Sequence, residues 1–120
     1  MGALAPEQVD EAVLKWYRNL VDEADKKYNR QPRHVDLEDA WSCLSYQTNP
    51  VEIEGLGEVC VEEDFDEEFH TNRYLVVRVG SSLHYKRCGW RASHDGSYLD
   101  GPTVQVRPLT KTVTYWETNK

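Results

Sequence analysis

Apolar positions in the first quarter of the chain recur at three- and four-residue spacing: Val9, Ala12, Val13, Trp16, Tyr17, Leu20, Val21, Ala24 and Tyr28. A helix of 3.6 residues per turn gathers such positions into one broad stripe, so the spacing predicts an amphipathic helix over 6–29. Pro6 suits the first helical turn, and Glu7, Asp10 and Glu11 complement its positive end. Pro32, in the segment NRQPR, is expected to end it. A second, shorter helix is expected over 36–48. Asp36 is its N-cap, Asp39 follows three residues on, and Leu37, Ala40, Trp41 and Leu44 share a face before Asn49-Pro50 stops it. At this length it depends on tertiary contacts to persist.

From residue 57 the period changes to two. Val59 and Val61 alternate with Glu58, Cys60 and Glu62, which reads as a first strand at a sheet edge. The run EEDFDEE over 62–68 has only Phe65 uncharged, and self-repulsion predicts a solvated loop or a ragged hairpin tip. Over 73–79, Leu75, Val77 and Val79 lie on one face and Tyr74 and Val76 on the other, as in a central strand covered on both sides. If Gly80-Ser81-Ser82 is a three-residue turn, Leu83 and Tyr85 fall beside Val79 and Val77 and apolar meets apolar.

Beyond that hairpin, Gly89-Trp90 ends or bends the strand, and Asp95-Gly96 and Asp100-Gly101 are turn signals five residues apart. Val104 and Val106 alternate with polar neighbours, Pro108 marks a bulge or an edge, and Val113 and Tyr115 resume the alternation. The pattern predicts an α+β protein: two N-terminal helices packed on a small twisted antiparallel β-sheet of about four to six strands. The sheet is expected over 57–117, and residues 1–120 form a single domain.

Charge changes this picture. Residues 1–68 hold 18 of the 21 acidic side chains and 6 of the 14 basic ones, a net of −12, and the remainder nets +5. The acidic half makes nucleic acid an unlikely partner, because the phosphate backbone is repelled. No apolar run is long enough for a membrane span and no secretory signal is visible, so a cytoplasmic protein with no membrane partner is expected. Cys43, Cys60 and Cys88 are odd in number and widely spaced, which predicts reduced thiols rather than a disulfide framework.

Catalytic and metal motifs are missing. No C-x-x-C or H-x3-H pair exists, and His84 and Cys88, four apart on a strand, stand about 13 Å from each other, too far to share an ion. Asp64-x-Asp66 lacks the glycine and distal Glu of a calcium loop. Ser93-His94-Asp95 spells a hydrolase triad, but consecutive side chains diverge and cannot form its chain of hydrogen bonds. Neither a metal nor a cofactor is expected. An enzyme would have to use His84 or His94 in a pocket with a converging carboxylate.

Two surfaces remain. Arg78, Lys86, Arg87, Arg91 and Arg107, interleaved with Tyr85, Trp90 and Tyr98, form a basic-aromatic face that could pair internally with the acidic N-terminal half, anchor a protein interface, or stack bases and pair phosphates. Arg87, Trp90, Arg91 and Tyr98 are its expected contact residues. Glu62, Glu63, Asp64, Asp66, Glu67 and Glu68 could instead mimic a polyanion and occupy a basic groove.

The spacing Tyr85-Lys86-x-x-Gly89-Trp90-x-x-Ser93-x-x-Gly96-Ser97-x-x-Asp100-Gly101, followed by Val106-x-Pro108 and 113–117, resembles small accessory proteins of tailed phages infecting actinobacteria. Those proteins similarly end in a valine- and threonine-rich strand closed by a Glu. The resemblance covers the C-terminal third and rests on turn glycines and strand apolars. It implies a phage setting and the host cytoplasm, but no chemistry. The resulting expectation is a non-catalytic accessory protein that binds and modulates a host macromolecule, foremost a protein. A nucleic-acid mimic inhibiting a host defence or DNA-handling enzyme is the alternative, and a small enzyme the third reading. Whether the chain forms a homo-oligomer stays open at this level.

Overall fold

The computed structural model describes residues 3–66, 72–92, 96–109, 114 and 116–118. Helix α1 spans Pro6–Lys27 and α2 spans Leu37–Ser45. Six strands follow: β1 Val51–Ile53, β2 Gly57–Asp66, β3 Asn72–Val79, β4 Leu83–Ala92, β5 Gly96–Tyr98 and β6 Thr103–Val106. All pairings are antiparallel, in the order β1-β2-β3-β4, and both β5 and β6 pair with β4. The fold is therefore α+β with N-terminal helices, as the periodicities predict. Among the described residues, no helix is long and apolar enough to cross a membrane.

The start of α1 follows the sequence signals. Pro6 occupies the first helical position, and the Ala5 amide donates to Gln8 Oε1 at 2.8 Å, satisfying one group at the open end. Its end does not follow Pro32. Asn29 takes a left-handed conformation (φ 54°), the Arg30 amide donates to the Asp25 carbonyl at 2.8 Å, and the Asn29 amide donates to the Lys26 carbonyl at 3.2 Å. These two bonds make a Schellman motif, so the helix stops five residues before the proline that was expected to break it. Asn29→Gly is expected to raise the urea midpoint by up to about 1 kcal/mol of stability and Asn29→Ala to lower it by about 1 kcal/mol, because only glycine holds this conformation without strain. Equal midpoints for the two variants would contradict the cap.

Helix α2 begins as expected, with Asp36 Oδ1 accepting the Asp39 amide at 2.9 Å. Its apolar face, Ala40, Trp41 and Leu44, is fully buried. Together with Val9 and Val13 of α1 it covers one side of the sheet, against Ile53, Val59, Leu75, Val77, Val79, Tyr85 and Leu99. Asp10 ties this layer together. Its Oδ1 accepts the Trp41 indole N–H at 3.0 Å and the Thr103 hydroxyl at 2.6 Å, joining both helices to β6.

The β3–β4 hairpin has the register that apolar matching predicts, with Val79 opposite Leu83 and Val77 opposite Tyr85. Other strand expectations need correction. β3 is central in the pairing order but covered on one face only: Arg73, Leu75, Val77 and Val79 are buried, whereas Tyr74, Val76 and Arg78 are half-buried. The acidic run is not a loop as far as Asp66. β2 continues through 62–66 with a bulge between Val61 and Glu63, because β3 supplies side chains that bond its carboxylates. β1 lies ahead of residue 57, where the alternation was expected to begin, so that β2 is not the edge strand; the positive φ of Gly55 (90°) and Gly57 (83°) turns the chain tightly from β1 into β2.

At the other edge, β6 pairs with residues 84–87 of β4 and β5 with residues 90–92. Between them the chain loops out at 99–102, burying Leu99, and is held by paired bonds of Cys88 with Gly101 and Pro102. A Cβ built on Gly89 would lie 1.9 Å from the Tyr98 carbonyl oxygen, so this crossing requires glycine. The sheet was expected to run to 117. Residues 107–109, 114 and 116–118 are in no strand, and Val113 and Tyr115 lie outside the described residues.

Candidate interaction surface

Strand alternation sends every second side chain of the sheet away from the helices. On this outer face β2 contributes Cys60, Glu62, Glu63 and Phe65, β3 contributes Tyr74, Val76 and Arg78, and β4 contributes His84, Lys86, Cys88 and Trp90, as the register requires. Val104 and Val106 of β6 stand beside Lys86 and His84. No described element of the chain packs over them.

Two aromatic pairs organise the face. Phe65 stacks on Tyr74 with centroids 4.8 Å apart and planes 12° from parallel, and the Lys86 ammonium sits 4.4 Å from the Tyr74 centroid. Tyr74 also donates its hydroxyl to Glu63 Oε1 at 2.8 Å. That bond to a carboxylate, with burial second, raises the phenol above its ordinary pKa. Farther along β4, Trp90 stacks on Tyr98 at 4.8 Å and donates its indole N–H to Asp100 at 3.0 Å. Trp90 is nevertheless 43 % exposed. Arg78 Nε donates to Glu62 at 2.7 Å while its Nη2 contacts Cys60 Sγ at 3.2 Å.

A groove of about 410 Å³ runs between β2 and the chain leaving β6, lined by Glu62, Glu63, Tyr74, Val76, His84, Lys86, Val106, Arg107 and Pro108. His84 Nδ1 is buried and takes no partner. The carboxylates on the same groove are already bonded to Arg78 and Tyr74. His94, with the rest of the Ser93-His94-Asp95 triplet, lies outside the described residues.

Of the four expected contact residues, Trp90 and Tyr98 come together on the outer face. Arg87 does not. It is 6 % exposed on the helix-covered side, donating from Nε to the Leu99 carbonyl at 2.8 Å and from Nη1 to Thr103 Oγ1 at 3.2 Å. Burial lowers its pKa, against the raising effect of Asp10. Arg91 shares that parity and bonds Asp66 at 2.8 Å. Positions 87 and 91 differ from 86 and 90 by one residue, and one residue in a strand reverses the face. The same parity places Tyr74 and Val76, which residue type alone passed over, on the groove beside Lys86 of the expected basic-aromatic face.

The acidic run is not displayed as one array. Glu62 bonds Arg78, Glu63 bonds Tyr74, Asp64 pairs with Arg73 and Asp66 with Arg91, and the four divide between the two faces of the sheet. Glu67 and Glu68 lie outside the described residues. Elsewhere, carboxylate oxygens of Asp36, Glu38 and Asp39 fall within 4.8 Å of one another at the start of α2. Asp36 caps the helix and Glu38 accepts from Ser42 and from the Leu99 amide. Burial, then Asp36, raises the pKa of Asp39.

Compared with protein-family models, curated proteins and solved structures, the chain matches none.

Proposed function

We propose that the protein is a phage accessory protein that acts without catalysis, binding a host protein in the host cytoplasm through the outer face of its sheet. The observation that carries this reading is the placement of both helices on one side, which leaves Phe65, Tyr74, Val76 and Lys86 half-buried and Trp90 exposed on the other. Trp, Tyr and cationic side chains on a rigid support are the groups that concentrate binding energy at interfaces. The phage setting rests on the resemblance of the C-terminal third.

Size agrees with a modest interface. Four strands about 4.8 Å apart, with about 3.3 Å per residue over some eight residues, give a projected face of roughly 500 Å². Side-chain relief brings that toward the roughly 800 Å² per partner of a standard complex. Capture of a host protein by the tagged chain should fall more than tenfold for Trp90→Ala combined with Lys86→Glu, since an interface anchor contributes about 2 kcal/mol or more. Undiminished capture by the folded double variant would reject this face. The acidic-mimic reading finds less support, because its described carboxylates are engaged within the protein and divided between two faces.

A further inference from the structure

β6 pairs with β4 on one side, and no described strand pairs with it on the other. Which of its main-chain groups face that open side follows from the ladder. Cys88 donates its amide to the Pro102 carbonyl and accepts from the Gly101 amide, both at 2.9 Å, so the even-numbered residues of β4 turn their main-chain groups toward β6. His84–Val106 and Lys86–Val104 are then the hydrogen-bonded pairs, and Tyr85–Gln105 is a non-bonded one. The N–H and C=O of Gln105 therefore point out of the sheet, and Arg107 repeats that direction if the strand is continued by one turn of the pleat.

This edge carries none of the devices that keep open edges apart. Thr103 to Val106 contains no charge and no proline. Val104 is 40 % exposed, Val106 is half-buried, and Gln105 is exposed. α1 reaches Thr103 through Asp10 and leaves the edge beyond it open.

The stretch Val104-Gln105-Val106-Arg107-Pro108 complements itself. Turned antiparallel against a copy of itself about Val106, it sets Val106 against Val106, Val104 against Pro108 and Gln105 against Arg107. Apolar meets apolar and no like charges are opposed. Main-chain direction agrees, because Gln105 and Arg107 are the residues whose groups face outward and such a pair exchanges two hydrogen bonds. Pro108 falls where no outward N–H is needed. Centring on Arg107 would oppose two guanidiniums, and centring on Gln105 would call on Thr103, which is buried.

We propose that β6 pairs edge to edge with β6 of a second copy of this chain, antiparallel about Val106, joining two sheets into one. The contact is made by the edge and not by the outer face, so it holds whether or not a host protein binds there. The paired stretch is about 17 Å long at about 3.3 Å per residue. It buries roughly 300 Å² per copy, under half of the roughly 800 Å² of a standard interface, so the dimer is weak, with a Kd of about 10 µM to 1 mM.

Sedimentation equilibrium of the full-length protein tests this over about 5 to 500 µM, a range that brackets such a Kd. The mass is expected to rise from 14.0 kDa toward twice that value. Gln105→Pro should weaken association at least tenfold and leave the urea midpoint of the dilute protein unchanged, because the N–H it removes faces the partner and not β4. Val106→Lys and Val106→Glu, which place like charges opposite each other, should each stay monomeric. An equimolar mixture of those two should associate at least tenfold more tightly than either alone, and this pair decides the matter even if Gln105→Pro does not fold. A mass of 14.0 kDa throughout, a folded Gln105→Pro that dimerises like the unaltered protein, or a Val106 mixture no tighter than its components would each overturn the pairing.

Discussion

Alanine at position 89 is expected to lower stability by about 1–3 kcal/mol and to weaken capture of the proposed host partner in whatever fraction remains folded. A Cβ there would lie 1.9 Å from the Tyr98 carbonyl oxygen, 2.9 Å from its carbonyl carbon and 3.0 Å from Leu99 Cα, all main-chain atoms that cannot swing aside. Relief requires β5 to move off β4. That motion would separate Trp90 from Tyr98 and lift Leu99 out of the core, coupling a packing defect to the proposed binding face. Gly101→Ala is the natural comparison, since its Cβ would meet Cys88 at 3.0–3.1 Å, a tight contact that a small shift can relieve. Urea denaturation of both variants checks the ranking, with Gly89→Ala the more damaging. A Gly89→Ala midpoint equal to that of the unaltered protein would mean that the β4–β5 crossing is not as close as described.

Trp41→Ala is expected to have the largest effect of any single change, about 3–5 kcal/mol, which approaches the whole stability of a small domain. Trp41 is fully buried between α1 and the sheet, and its indole N–H supplies one of the two hydrogen bonds to Asp10 Oδ1. Truncation therefore leaves a cavity and strips a partly buried carboxylate of a donor, two penalties that add. Trp41→Phe keeps most of the volume and loses the donor, so about 1–3 kcal/mol is expected from it. Equal losses in the two variants would show that the Asp10 bond, not the packing, dominates. Thermal or urea unfolding followed by far-UV circular dichroism separates the cases.

The legible part of the fold is the part governed by local period. The α1 stripe, the Asp36 cap with the buried Ala40-Trp41-Leu44 face, and the β3–β4 register each follow from residues close in sequence. What the sequence concealed depends on partners far along the chain. Residues 62–66 look like a repelled loop until Arg73, Tyr74 and Arg78 are placed opposite them by β3, and then the same charges hold a strand. Pro32 is the stronger breaker by composition, yet Asn29 ends the helix first because its short amide side chain tolerates the left-handed conformation that the Schellman bonds need.

The candidate site was half legible for a related reason. Trp90 and Tyr98 were identified by residue type, and type is enough where an aromatic pair meets on an open face. Arg87 and Arg91 were identified by type as well, but parity decides which side of a strand a side chain takes, and parity turned both toward the helices' side. Arg87 became a buried strut between β4 and the 99–103 segment, a role that an arginine's long apolar stem and five donors permit. The pairing of β5 and β6 with the same strand could not be read at all, since it hangs on the absence of one side chain at Gly89.

The central claim is that the sheet has one face under the helices and one face that no described element covers. Broadening of side-chain NMR signals by a water-soluble paramagnetic probe tests it on the unaltered protein. Phe65, Tyr74, Val76, Lys86 and Trp90 should broaden strongly, while Leu75, Val77, Tyr85 and Arg87, their immediate neighbours on the same strands, should stay sharp. Protection of both sets, or broadening of both, would contradict the account.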